Sequence, residues 1–208
     1  MAYVVGYFAA DGSMLCNRRG AHFIEFYGTD KELIVLVRDL LKSNHKISIR
    51  NRNPLEKTGY RLQLGSKELY TDLFKLGMTP AKSKTLTLPK IPSTVFAHFL
   101  RGYFDGDGCV YFKKHFAKDR QKKRWVFTVR FTSGSYTFLS DLLSSLKKKT
   151  VNGGFITSKK GGHELVFSHR DGLALFHLMY DNTSHRSYLS RKYKLFKKAI
   201  QTLYGGVA

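Results

Sequence analysis

Acidic residues are scarce in this sequence. Only 15 Asp and Glu accompany 36 Lys and Arg among 208 residues, and the formal net charge is +21 at pH 7. A compact chain with this charge repels itself, so we expect an anionic partner that relieves the repulsion. Nucleic acid is the leading candidate, and a membrane surface is the alternative. The hydrophobic fraction of 42% and the aromatic fraction of 14% indicate a globular protein and exclude a disordered one.

Cysteine and long apolar runs are also scarce. No stretch of about 18 apolar residues is present, which excludes a transmembrane helix. The N-terminal segment has no basic region and meets an Asp early, so a secretory signal peptide is not expected. Two cysteines are too few for a disulfide framework or a zinc site. We therefore expect an intracellular reducing compartment, such as a bacterial cytoplasm or the interior of an organelle.

One short motif occurs twice. Val4–Gly12 reads VVGYFAADG and Leu100–Gly108 reads LRGYFDGDG, and the offset between them is close to half of the chain. A repeat at this distance indicates a duplicated unit. We therefore predict two domains, residues 1–93 and 94–208, and the first includes a linker that contains three of the four prolines.

Both motif copies are predicted to be apolar helices that end at the final Gly, acting as a left-handed C-cap. Small residues recur four positions apart on one face of each helix: Gly6 with Ala10, and Gly102 with Gly106. Small residues at this spacing let two helix backbones approach closely. We therefore predict that the two motif helices pack side by side at the centre of the molecule through these four residues.

The segments after each motif follow the same order. Both halves read as αββαββα, and the second adds a basic helix at its end. The sequence thus predicts an α+β protein of two pseudo-symmetric halves packed through the motif helices, with antiparallel sheets. Asn17–Gly20 is predicted to be a hairpin turn and Lys113–Arg124 a longer basic loop. Asp30 and Ser135 are predicted helix N-caps.

The predicted strands alternate between apolar and polar residues. In KISIRNR, Ile47 and Ile49 point to one face while the polar residues between them point to the other. Each sheet is therefore expected to bury one face under helices and to expose the other. The exposed face would bear Arg, Lys, Gln, Thr and Ser, which contact phosphates and base edges. An ordinary solvated sheet face is the alternative interpretation.

The paired motifs resemble the nine-residue signature of LAGLIDADG homing endonucleases. Both keep the Gly at the third position and the final Asp-Gly, and the second also keeps the Asp at the sixth position, Asp105, where the first has Ala9. The resemblance covers nearly the whole chain. It implies a monomeric, pseudo-twofold enzyme whose sheets form a saddle over double-stranded DNA. The implied function is site-specific hydrolysis of one phosphodiester in each strand of a long target.

The resemblance implies the catalytic and metal-binding residues. The motif aspartates, Asp11 and Asp107, would meet at the ends of the central helices, where two carboxylates are stable when divalent cations lie between them. Mg²⁺ is the expected metal. Mn²⁺ or Ca²⁺ would occupy the same sites, Ca²⁺ without cleavage. The backbone carbonyls of Ala10 and Gly106 are the expected additional ligands.

A basic residue is usual beside each metal site in this family. Lys82 and Lys192 occupy the matching segments and are expected to be catalytic, and a plain phosphate contact is the alternative role. The polar residue at the strand end departs from the family pattern. Gly28 or Thr29 in the first half and Ser133 in the second stand where Gln or Lys is usual.

DNA contacts are expected at outward-facing strand positions and in basic turns. In the first half these are Arg18, Arg19, Glu25, Arg50, Arg52, Arg61 and Gln63. In the second half they are Lys113, Lys114, Lys123, Arg124, Arg130, Thr132, Thr157 and Lys159. Glu25 and Arg130 occupy matching positions of the repeat. Because Glu accepts a hydrogen bond from cytosine and Arg binds guanine, a non-palindromic target is predicted.

Two other functions are compatible with the same fold: an RNA-binding intron maturase and a DNA-binding protein that does not cut. The two motif aspartates favour the nuclease, because a pure binding protein gains nothing from two carboxylates held against a phosphate backbone. The chain starts at Met1 without a splice-junction nucleophile and does not end in His-Asn. We therefore expect an intron-encoded or free-standing enzyme rather than an intein.

Overall fold

The structure, a computed structural model, describes residues 1–51, 57–181, 183 and 187–205. The helices and strands of the first half are α1 (Ala2–Asp11), β1 (Gly12–Cys16), β2 (His22–Gly28), α2 (Lys31–Leu40), β3 (Ile47–Arg50), β4 (Gly59–Gly65) and α3 (Lys67–Lys75). Those of the second half are α4 (Phe96–Asp107), β5 (Gly108–Ala117), β6 (Lys122–Ser133), α5 (Tyr136–Lys147), β7 (Phe155–Lys159), β8 (Gly162–Ser168), α6 (His169–Tyr180) and α7 (Ser190–Tyr204). The predicted α+β class and the repeated αββαββα order are confirmed.

Each half forms one antiparallel sheet of four strands. The strand orders are β1-β2-β4-β3 and β5-β6-β8-β7, so the two sheets have the same topology. In β2, whose sequence fits either orientation, Ile24 and Phe26 are fully buried against the helices. Glu25 therefore lies on the opposite face, because successive side chains of a strand alternate. Ile49 is 64% exposed because β3 is the edge strand of its sheet.

The two motif helices, α1 and α4, lie at the centre of one continuous core. All residues of α1 from Tyr3 to Ala9 are buried, and so are those of α4 from Phe99 to Asp105. A helix that is apolar on all sides is one that other elements surround, which accounts for the composition of α1, whereas α4 also buries Arg101 and Asp105. The predicted domain boundary between residues 93 and 94 falls in a short 3-10 helix, Ser93–Val95, and stays a prediction.

The glycine that ends each motif is extended, with φ −84° at Gly12 and −93° at Gly108. The prediction of left-handed C-caps is therefore wrong: each motif helix continues directly into the first strand of its sheet. The physical requirement for glycine is space. A Cβ atom at Gly12 would lie 2.0 Å from the ring of Phe8, and one at Gly108 would lie 2.2 Å from the ring of Phe104.

The two predicted connections of the first hairpins have different outcomes. The turn at residues 17–20 is confirmed, and the backbone N–H of Asn17 donates to the carbonyl of Ala21 at 3.0 Å. The prediction of a basic loop at residues 113–124 is wrong. There β5 continues to Ala117 and β6 begins at Lys122, so most of this segment is a long paired hairpin. Cross-strand pairing overrides the local polarity that indicated a loop.

The two predicted N-caps also differ. The hydroxyl of Ser135 accepts a hydrogen bond from the backbone N–H of Phe138 at 3.2 Å, as a cap should. Asp30 occupies the N-cap position of α2 but makes no capping bond with its side chain. Its carboxylate instead accepts hydrogen bonds from Nε and Nη2 of Arg191, at 2.9 and 2.7 Å.

Candidate active site

The interface between α1 and α4 is a direct contact of backbones. A Cβ atom at Gly6 would lie 2.0 Å from the carbonyl oxygen of Phe99, and one at Gly102 would lie 2.0 Å from that of Tyr3. Farther along, a Cβ atom at Gly106 would lie 2.5 Å from the Cβ of Ala10. The structure thus places the four predicted small residues at this contact. We call the contact between α1 and α4 the helix seam.

The helix seam brings together the two motif aspartates. The space that a Cβ atom would take at Gly106 lies 3.1 Å from the carboxylate of Asp11, so this side chain reaches the end of the opposite helix. Burial and the charge of Asp107 raise the pKa of Asp11 to about 7. Burial also raises the pKa of Asp107, although the positive charges of Lys192 and Lys82 lower it in part. The two carboxylates are therefore close enough that the charge of Asp107 disfavours the ionisation of Asp11.

A buried lysine lies at the end of each motif helix. Lys82 is 6% exposed, donates to the carbonyl of Gly12 and lies over the ring of Phe8 at 4.9 Å. Lys192 is 7% exposed and lies over the ring of Phe104 at 5.5 Å. Because Phe8 and Phe104 occupy the same motif position, the two lysines are related by the internal symmetry. Each places a cation where the helix dipole is negative.

The carbonyl groups at the end of α4 are held by Lys192. Its ammonium donates to the carbonyls of Phe104, Asp105 and Gly106 at 2.8, 2.7 and 3.0 Å. Gly106, predicted as a metal ligand, therefore already shares its carbonyl with this lysine. Burial lowers the pKa of Lys192 to about 8, and burial lowers the pKa of Lys82 to about 8 as well. An ammonium group with a pKa of about 8 is mostly protonated at pH 7.

The segments that hold the two lysines each cross to the other half. Beside Lys192, at the start of α7, Arg191 binds Asp30 of the first half. After Lys82, the linker carbonyl of Leu86 accepts a hydrogen bond from Ser135 of the second half at 2.7 Å. The segment around each lysine thus contacts both halves, which makes the site depend on the assembly of the two halves.

Asp105 is a buried residue of the site that sequence reasoning noted only as part of the motif. It is 2% exposed, and one carboxylate oxygen accepts hydrogen bonds from the hydroxyl of Tyr3 at 2.6 Å and from the backbone N–H of Leu189 at 2.9 Å. Leu189 is the N-cap of α7, three residues before Lys192. Asp105 therefore joins both motif helices to the helix that bears Lys192. The only sequence signal for this role of Asp105 was that the first motif has Ala9 at the same position.

The exposed faces of the two sheets hold most of the predicted DNA contacts. Those on strands and on this face are Glu25, Arg50, Arg61, Gln63, Lys113, Arg124, Arg130, Thr132, Thr157 and Lys159. Arg18 and Arg19 lie in the exposed turn between β1 and β2. Arg52 lies outside the described residues. Lys114 and Lys123 lie on the other face of the β5–β6 hairpin. Strand alternation separates Lys114 from Lys113, and its ammonium lies 5.0 Å from the ring of Trp125.

Corresponding ion pairs with reversed charges occur on the two faces. Arg61 of β4 binds Glu25 of β2 at 3.2 Å. At the equivalent positions Arg130 of β6 binds Glu164 of β8 at 3.5 Å, and Lys159 binds the same carboxylate at 3.0 Å. The positions predicted to match, Glu25 and Arg130, thus bear opposite charges in one shared geometry.

The comparison with known families decides the relationship. A family model of the LAGLIDADG-like domain matches residues 1–76 and 95–178, one copy in each half. The chain belongs to the LAGLIDADG family. The matched ranges include both motif helices and both four-stranded sheets, so the resemblance of the two motifs extends to the fold of each half.

Solved structures of LAGLIDADG proteins have a similar fold. The meganuclease I-SmaMI bound to uncleavable DNA has a TM-score of 0.68 and 13% identity, over 96% of this chain and 89% of that one. The homing endonuclease I-LtrWI bound to target DNA has a TM-score of 0.62 and 14% identity, over 95% and 88%. I-SmaMI bound to uncleaved DNA with calcium ions has a TM-score of 0.61 and 14% identity, over 97% and 90%. At this identity the similarity establishes the two-half fold alone.

Two further features concern the helices and the cysteines. Among the described residues no helix is long and apolar enough to cross a membrane. Cys16 and Cys109 are both free and exposed.

Proposed function

We propose that this protein is a site-specific endonuclease that hydrolyses one phosphodiester in each strand of a long, non-palindromic DNA duplex. It acts as a monomer with Mg²⁺ as its metal. The observation that supports this most strongly is the meeting of Asp11 and Asp107 at the end of the helix seam with one buried lysine beside each helix end. A protein that only binds nucleic acid has no use for two carboxylates on a surface that faces phosphates.

The oxygen atoms of the site suit a hard divalent cation. Burial disfavours the charged forms of both Asp11 and Asp107, and the charge of Asp107 adds to this effect at Asp11, so the pKa of each group is raised. A cation between the carboxylates would offset this penalty, and Mg²⁺ prefers such oxygen ligands. The carbonyls of Ala10 and Gly106 are the further candidates. When bound, Mg²⁺ polarises the phosphodiester and increases the acidity of bound water.

The lysines have the position and charge to stabilise negative charge that develops during hydrolysis. Lys82 and Lys192 are buried, so their charges act in a medium of low polarity, where an oriented cation is more effective than in water. Both are held by backbone carbonyls, which fixes the ammonium groups before the substrate arrives. We assign them the role of transition-state stabilisation, one in each half.

DNA binding is assigned to the exposed faces of the two sheets. The net charge of +21 supplies the attraction to phosphates that does not depend on sequence. The ion pairs Glu25–Arg61 and Glu164–Arg130 place acceptors and donors at equivalent positions in opposite arrangements. Because the two halves then present different groups to the bases, we propose that the target lacks twofold symmetry at these positions.

The test is cleavage of a library of DNA duplexes by the full chain in Mg²⁺. The expected result is cutting of both strands of one sequence. Asp11→Asn and Asp107→Asn should slow at least one strand by about 100-fold or more while duplex binding is kept. Asp39→Asn is the matched control, since Asp39 is an exposed carboxylate on α2 that is paired with Arg38.

Two outcomes would contradict the proposal. Binding of RNA without cleavage of any duplex would favour the intron maturase. Sequence-specific binding of DNA without cleavage would favour a DNA-binding protein that has lost or never had nuclease activity. Full activity of both Asn variants would exclude the motif aspartates as catalytic residues even if the wild-type protein cuts DNA.

A further inference from the structure

The two motif tyrosines have different surroundings. Tyr7 and Tyr103 occupy the same position in their motifs, and both side chains are buried. The hydroxyl of Tyr103 donates to the carbonyl of Thr132 at 2.7 Å, so its hydrogen bond is made within the second half. The hydroxyl of Tyr7 is buried without a hydrogen-bond partner among the described residues. The internal symmetry is therefore broken at this hydroxyl.

The hydroxyl of Tyr7 faces the end of strand β2. A Cβ atom at Gly28 would lie 3.1 Å from this oxygen. At the equivalent position the second half has Ser133, which is 5% exposed and whose hydroxyl accepts from the backbone N–H of Ser135 at 3.1 Å. The first half thus has no side chain where the second half has a polar one, and the Tyr7 hydroxyl lies close to the backbone there.

Tyr7 and Gly28 both line a cavity of about 290 Å³ that extends to Asp11 and Gly106 of the candidate active site. Its polar lining includes Tyr7, Asp11, Thr29, Asp30 and Arg191. A cavity of this size holds water readily, and polar groups on its wall provide the two or more partners that an ordered water needs. A buried hydroxyl without a protein partner is usually bonded to such a water.

We infer that Tyr7 binds an ordered water molecule in this cavity beside Asp11, in place of the polar side chain that the strand end at Gly28 lacks. The hydroxyl hydrogen-bonds to the water, and the cavity gives the water a path to the carboxylate. The role of this water rests on the proposed nuclease function. There its oxygen forms a bond to phosphorus, its proton is released to solvent, and the bond from phosphorus to the leaving oxygen breaks as that oxygen is protonated. Tyr7 is then a positioning residue for one strand only.

The first test does not depend on activity. A high-resolution crystal structure of the metal-free wild-type protein should contain a water within hydrogen-bond distance of the Tyr7 hydroxyl, and that of Tyr7→Phe should lack it. Tyr103→Phe is the matched control, because it removes a hydroxyl whose bond is made within the protein. It should lower the melting temperature more than Tyr7→Phe does. A dry cavity in the wild-type crystal would overturn the inference.

The second test uses a cleavable duplex with a different label on each strand. Tyr7→Phe should slow one strand by about tenfold or more, the strand that Asp11→Asn slows most, so nicked DNA should accumulate. Tyr103→Phe should leave both rates within about twofold of wild type. Gly28→Ala puts a methyl group into the space beside the hydroxyl and should slow the same strand although Tyr7 is intact.

The outcomes separate the inference from the proposed function. Equal slowing of both strands by Tyr7→Phe, or equal effects of Tyr7→Phe and Tyr103→Phe, would overturn the inference while the nuclease function stands. If the wild-type protein cuts no duplex, the nuclease function fails, and the crystal structures then decide by themselves whether Tyr7 binds the water.

Discussion

Replacement of Gly102 by alanine tests the helix seam directly. The new Cβ atom would lie 2.0 Å from the carbonyl oxygen of Tyr3 and 2.9 Å from the backbone nitrogen of Tyr7. A carbon and a carbonyl oxygen approach no closer than about 3.3 Å even in a favourable contact, so α1 and α4 must separate by about 1.3 Å. The obstacle is backbone on both sides, and no side chain can rotate to relieve it.

The expected effect follows from that displacement. Overpacking of a core costs typically about 1–3 kcal/mol, and a rigid backbone contact places Gly102→Ala at the upper end, about 3 kcal/mol. For a chain of this length that corresponds to a melting temperature lower by about 6–12 °C. Because Asp11 and Asp107 are positioned by the same contact, we also expect cleavage to fall by about 100-fold in the folded variant.

Thermal and urea unfolding, followed by cleavage at a temperature where the variant is folded, measure these effects. Gly65→Ala is the control, since its Cβ atom would lie 3.6 Å from the ring of Phe23 in ordinary contact, and its stability should change by no more than about 0.5 kcal/mol. A Gly102→Ala protein within 1 kcal/mol of wild type would refute the close backbone contact. Loss of stability without loss of cleavage would refute the dependence of the aspartates on it.

Three further substitutions have effects on stability or DNA binding whose direction follows from the structure. Burial and Asp107 raise the pKa of Asp11 to about 7, so its ionisation destabilises the metal-free fold increasingly as the pH rises from about 4 to 7. In urea unfolding, Asp11→Asn should therefore have the same stability as wild type near pH 4 and be more stable than wild type at pH 8. The expected difference at pH 8 is only about 1 kcal/mol, because the carboxylate is partly solvated. Equal stability of the two proteins at both pH values would contradict this. Asp105→Ala leaves two buried donors without an acceptor and should lower the free energy of unfolding by about 2–4 kcal/mol, measured by thermal unfolding. Asp105→Asn keeps an acceptor and should recover at least half of that stability. Equal losses of stability in the two variants would point to packing alone. Glu164→Gln frees Arg130 and should tighten binding to random duplex DNA at low salt but not at high salt, as a salt titration of the binding constant would reveal, and weaker binding at low salt would argue against a phosphate-facing surface.

Several features were determined by the sequence because they depend on neighbours along the chain. Apolar periodicity is a local property, so it predicted the motif helices and the hairpin order of each half. Small residues at four-residue spacing predicted the helix seam at Gly6, Ala10, Gly102 and Gly106, since one helix face is defined by spacing alone. The doubled motif predicted two related halves. The catalytic aspartates and the lysines came from the resemblance, and their roles stay predictions.

Other features were decided only by the tertiary structure, because they depend on what a residue meets across the fold. Gly12 was predicted to adopt a left-handed turn, but the ring of Phe8 requires it to lack a side chain in extended backbone. Pairing with a partner strand turned the expected loop at residues 113–124 into a hairpin and placed Lys113 and Lys114 on opposite faces. No local pattern contains this information.

The asymmetry of the candidate site was likewise decided by the tertiary structure. Tyr7 and Tyr103 occupy identical motif positions, yet the hydroxyl of Tyr103 donates to a backbone carbonyl while that of Tyr7 has no partner among the described residues. Asp105 and Ala9 differ visibly, but only the approach of Leu189 and Tyr3 gives Asp105 its partners. The sequence by itself determined that the protein has two related halves. The tertiary structure determined how the halves differ, because packing brings together hydrogen-bond partners that are distant in sequence.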